Sequence, residues 1–95
     1  MLEAKTALHL LARPLKFGDR EQAEAVQFLA EILTLIDAVG REYDEHAGRS
    51  NRSWADLRWY EKTDALWSFC DRNKIDRRLG REAYTYIMLR RGMCP

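Results

Sequence analysis

Ninety-five residues, 46% of them apolar and 33% charged, suffice for one small domain with one core. Five glycines and two prolines are few, which favours a small number of long helices over many short strands. The formal net charge of +1 is low for a stand-alone DNA binder, and no apolar run approaches the roughly 18 residues of a membrane span.

Residues 2–12 predict a short helix, with Ala4, Ala7, Leu8 and Leu11 at helical spacing. Pro14 ends it, because the residue before a proline is pushed out of the α region. Glu3 and the helical period argue against a secretory leader, so a cytoplasmic location is expected. Asp19 then opens the strongest element as an N-cap, with Gln22 three positions on completing a capping-box pattern. Ala25, Val26, Phe28, Leu29, Ile32, Leu33, Leu35, Ile36 and Val39 make a stripe wide enough to need cover on two sides. Bundle neighbours can supply that cover, and so can a second copy. A homo-oligomer through residues 25–39 is therefore a secondary expectation. Run unbroken from 20 to 47, this helix would be about 42 Å long. The radius of gyration for the chain length is only about 12 Å. Either Gly40 breaks or bends the helix, or its end projects; a C-terminus between Gly40 and Ala47 is expected.

Residues 48–52 read as a loop, and Ser53 as the next N-cap, with Asp56 near the positive helix end. Residues 54–72 carry Trp54, Trp59, Tyr60, Trp67 and Phe69, and the charged run Glu61–Asp64 is expected to divide this region into two short helices. A turn at 73–76 leads to a last helix over about 77–91, closed by Gly92 in a left-handed cap. Cys70 reads as a core thiol and Cys94 as a tail thiol, without a disulfide between them. The fold class is all-α: a single domain, an antiparallel bundle of four or five helices.

The charge is polarised along the chain. Residues 1–48 hold five basic and nine acidic side chains, and residues 49–95 hold eleven and six. Arg90 and Arg91 complement the negative end of the last helix. Lys74, Arg77, Arg78 and Arg81 crowd its positive end, where each costs a few tenths of a kcal/mol. Something must offset that cost: the fold's own carboxylates (Glu31, Glu42, Asp44 or Glu45), or an external anion or acidic partner. Trp67 reads as core. Trp54, Trp59 and Tyr60 cannot all face inward with Leu57, so this aromatic segment is a second candidate contact.

The leading expectation is a non-enzymatic protein–protein interaction module, an adaptor or inhibitor. It would meet an acidic protein surface through Lys74, Arg77, Arg78 and Arg81, and through Trp54, Trp59 and Tyr60. The alternative is nucleic-acid binding by the basic half, with the aromatics as stacking platforms and Arg49, Arg52 and Arg58 beside them. Residues 63–91 have the outline of a helix–turn–helix but lack the usual turn glycine. An anionic small molecule at the start of the last helix is a third reading. His9, His46, Cys70 and Cys94 are too scattered for a metal site, and Asp44, Glu45 and His46 diverge on a helix. No nucleophile elbow or phosphate-cradling glycine loop is present, so neither catalysis nor a cofactor is expected.

Overall fold

The computed structural model describes residues 2–47 and 52–92. Most of the expected loop at 48–52 lies outside them, as does Cys94. Four α-helices, and no strand among the described residues, make the all-α bundle: α1 (Ala4–Leu11), α2 (Arg20–Ala47), α3 (Trp59–Arg72) and α4 (Arg77–Arg90). A single 3-10 turn, Trp54–Asp56, precedes α3.

α2 is the spine. Its inner residues Ala25, Leu29, Ile32, Leu35 and Val39 are buried with Ala4 and Ala7 of α1, Leu66 and Cys70 of α3, and Ala83 of α4. The cap at Asp19 forms, its Oδ1 accepting the Gln22 amide at 3.1 Å. The other half of the capping box does not. The Gln22 side chain turns instead into the α1–α2 connector, donating to the Leu10 and Pro14 carbonyls (3.1 and 3.2 Å) and accepting from the Lys16 amide (2.9 Å). A buried glutamine thereby satisfies a carbonyl in the last turn of α1 and two backbone groups of the connector that follows it.

α2 runs unbroken for 28 residues to Ala47. The radius of gyration is accordingly 14.5 Å and the long axis 48 Å, above the compact value. Of the two alternatives, the projecting end is realised and the break at Gly40 is not. Gly40 serves close approach: a Cβ there would lie 2.8 Å from Cδ1 of Trp54. The 3-10 turn rests on this notch. Trp54 donates its amide to Asp44 Oδ1 (2.7 Å), and its ring lies 6.2 Å from that of Tyr43.

The division within residues 54–72 falls earlier than the charge pattern suggests. It comes at Leu57 and Arg58, because Leu57 turns into the core and Glu61 accepts the Arg58 amide at the start of α3 (3.4 Å). The run Glu61–Asp64 lies inside α3.

α3 and α4 form an antiparallel hairpin. Gly80 lets α4 approach so closely that its Cβ position lies 3.1 Å from Cys70 Sγ and 3.2 Å from Trp67 Cζ3. Further along, Trp59 meets Tyr84 with ring centroids 6.4 Å apart, and Arg91 reaches the Leu57 carbonyl at 3.4 Å. Contacts along both lengths make this a side-by-side pair, whereas a DNA-reading helix–turn–helix crosses at about 90–120°.

Candidate functional site

The basic corner is built around the α3–α4 turn. Asn73 caps α3, and Lys74 follows in the left-handed region at φ 55°, while the Ile75 amide returns to the Cys70 carbonyl at 2.9 Å. This Schellman arrangement usually places glycine where Lys74 stands. Asp76 then caps α4, its Oδ1 accepting the Arg78 amide at 2.8 Å. Two successive caps hold Lys74, Arg77 and Arg81 in a fixed relation, all three exposed. Asp76 was legible in the sequence as a capping residue before an apolar-periodic run, and its signal was masked by the arginines after it.

Arg78 leaves this set. It is half-buried and donates to the Leu2 carbonyl at 2.5 Å. One turn on, the buried Glu82 accepts the Ala4 amide through Oε1 at 3.1 Å. Arg78 and Glu82 together clasp the start of α1 onto α4, so Arg78 has a structural partner and is not an open cation.

The acidic half of the chain does not neutralise the remaining three. Glu42 pairs with Arg72, whose guanidinium also lies 5.9 Å from the Phe69 ring. Asp44 is occupied by the Trp54 amide. Within the corner Asp76 is engaged as the cap of α4, and among the described residues the ion pair made to the corner is that of Asp71, 3.6 Å from Arg77 Nε, a loose and exposed pair. Among the described residues no carboxylate reaches Lys74 or Arg81. Arg77, Arg81 and Asp71 line a cleft of about 270 Å³ with Trp67 as its apolar wall. Trp67 is thus half-buried, and is both packing against Gly80 and part of this surface. Its i,i+4 spacing from Asp71, matched by Arg77 and Arg81 on the facing helix, was the available signal.

The aromatic segment lies elsewhere. Trp59 and Tyr60 belong to the first turn of α3, about 20 Å of helix away from the turn that carries Lys74. Trp59 stacks edge-on with Tyr60 (5.7 Å) and is half-buried against Tyr84; Tyr60 is exposed. Trp54 is taken up by Gly40 and Tyr43, with Lys62 Nζ 5.7 Å from its ring. Burial, and then the charge of Arg91, pulls Lys62 below the ordinary lysine range. Nη2 of Arg52 donates to both carboxylate oxygens of Glu61, at 2.7 and 2.8 Å, and holds that carboxyl below the usual range. Arg52 is therefore engaged, and Arg58 is the exposed cation beside this aromatic group.

A third region is a cleft of about 470 Å³ between α2 and α3, with Glu42, His46, Glu61 and Asp64 on its walls. Two of these carboxylates are answered by Arg72 and Arg52, and among the described residues no three metal-ligating side chains converge. The Cys70 thiol is buried, and burial pushes its pKa up, with Asp71 adding to the effect. Among the described residues no helix is long and apolar enough to cross a membrane.

Comparison with protein-family models, with curated proteins and with solved structures finds no match for this chain.

Proposed function

We propose that this protein is a non-enzymatic protein–protein interaction module that docks on an acidic surface of its partner through Lys74, Arg77 and Arg81. The observation that carries this reading is the state of those three side chains. They are exposed, held in register by two helix caps, and answered among the described residues by one loose ion pair at 3.6 Å, although the same chain carries a surplus of acids in its other half. Arginine forks beside the Trp67 wall suit carboxylates presented on a protein surface, where bidentate pairing and apolar contact combine. Charge of this kind sets association rate and selectivity more than raw affinity. Trp59 and Tyr60, at the far end of the same hairpin, extend the contact only for a partner long enough to span α3.

The test is a pull-down from the native host followed by rebinding with the purified partner. Binding by the wild type, its loss in Arg77→Glu/Arg81→Glu, and its retention in Arg58→Ala support the basic corner. Equal rebinding by the charge-reversed variant refutes it.

Nucleic-acid binding remains the second reading, favoured by one observation: Tyr60 is exposed beside Arg58 and forms an edge with Trp59 on which a base can stack. Titration of labelled duplex and single strands separates the two, since phosphate-driven binding weakens steeply with salt. Absence of binding at low salt removes this reading.

A further inference from the structure

We propose that the outward edge of α2 is a self-association surface on which a second copy of this chain packs antiparallel. Two stripes run along α2. The bundle uses the first, Ala25, Leu29, Ile32, Leu35 and Val39. The second is Ala23, Val26, Ala30 and Leu33, at alternating spacings of three and four, which is the seam of a two-helix coiled coil. Among the described residues no element of the bundle covers it. Val26 is 50% exposed and Leu33 47%, the only large aliphatic helix residues so exposed among those described. Ala23 and Ala30 alternate with them and keep the surface low, so a facing helix can approach. The apolar surface continues past the helix start into Leu15, which shares a shallow depression with Ala23 and Val26, and Phe17 beside it is fully exposed.

Charge selects both the occupant and its direction. The seam is bounded by Asp19 at one end and by Asp37 and Arg41 at the other, the latter two paired at 2.6 Å on the open surface. A two-fold axis at Ala30 brings position 23 opposite 37 and 19 opposite 41, and sets Val26 opposite Thr34, one residue's rise of about 1.5 Å from Leu33 of the other copy. Asp19 of each copy then meets Arg41 of the other, and Arg20, flanking Ala23, lies within reach of Asp37. A parallel pair would set Asp19 on Asp19, Asp37 on Asp37 and Arg41 on Arg41. The pattern therefore complements itself in the antiparallel sense alone, which is the condition for an isologous dimer. The surface is separate from the corner at Arg77 and Arg81, so a dimer presents two copies of that corner.

Sedimentation from micromolar to near-millimolar concentration tests this. The mass is expected to climb from 11.2 kDa towards twice that value. Leu33→Lys and Val26→Lys, both at exposed positions, are expected to weaken association at least about tenfold each, with helix content unchanged. In a Cys94→Ser background, mixing Ala23→Cys with Asp37→Cys under mild oxidation is expected to give the mixed 23–37 cross-link. A chain that remains monomeric throughout overturns the proposal. So does a dimer that ignores both lysine substitutions, or one that yields 23–23 and 37–37 products or none. Arg77→Glu/Arg81→Glu is expected to dimerise as the wild type does, which keeps this result independent of the docking corner.

Discussion

Replacing Gly40 with alanine sets two opposing effects against each other, and the structure says which wins. In a helix interior glycine is about 1 kcal/mol worse than alanine, so on propensity alone Gly40→Ala stabilises. The added Cβ, however, would lie 2.8 Å from Trp54 Cδ1 and 3.1 Å from both Cγ and Nε1. The ring cannot swing away freely. Its backbone is tied to Asp44 at 2.7 Å, and Tyr43 and Lys62 flank it. Overpacking of this kind costs about 1–3 kcal/mol, so the expected net effect is a loss of up to about 2 kcal/mol. In a Trp54→Ala background the obstruction is gone, and the same change should stabilise by the full ~1 kcal/mol. The resulting coupling of about 1–3 kcal/mol exceeds the ~0.5 kcal/mol scatter expected for independent sites. Urea unfolding followed by far-ultraviolet circular dichroism measures all four proteins without relying on tryptophan fluorescence. If Gly40→Ala stabilises equally in both backgrounds, Trp54 does not rest on Gly40 and the account of this junction is wrong.

Three further outcomes are expected. Lys74→Gly relieves a left-handed lysine and should raise stability by about 0.5–1 kcal/mol in denaturant unfolding, while weakening partner binding. Glu82→Ala removes the buried acceptor of the Ala4 amide, with an expected loss of about 1.5–3 kcal/mol. Its signature in hydrogen exchange is a faster rate across α1 than across α3. Cys70, protonated and buried, should resist alkylation in a Cys94→Ser variant until denaturant unfolds the chain, so rapid labelling of the native protein would contradict the core assignment.

Elements governed by local chemistry were legible from the chain. The apolar period of α2, the cap at Asp19, the stop after α1 near Pro14 and the left-handed Gly92 (φ 74°) all depend on residues within a turn or two of one another. The sorting of acids and bases into opposite halves was equally plain, because it is a property of composition. What those charges do was not. Arg78 reads like Arg77 and Arg81, yet its partner is the Leu2 carbonyl, 76 residues away. Gly40 reads as a helix breaker until Trp54, fourteen positions further along the chain, is laid against it. Trp54, Trp59 and Tyr60 form one group in sequence, but the helix pairing sends Trp54 to α2 and the other two to the end of the hairpin remote from Lys74.

Short-range periods and caps specify four helices because backbone hydrogen bonding and side-chain spacing are decided inside each segment. Which arginine is spent on a carbonyl, which glycine receives a ring and which α2 stripe stays open depend on contacts between segments distant in sequence. Those contacts come into being only when the helices pack, and so only the tertiary structure decided them.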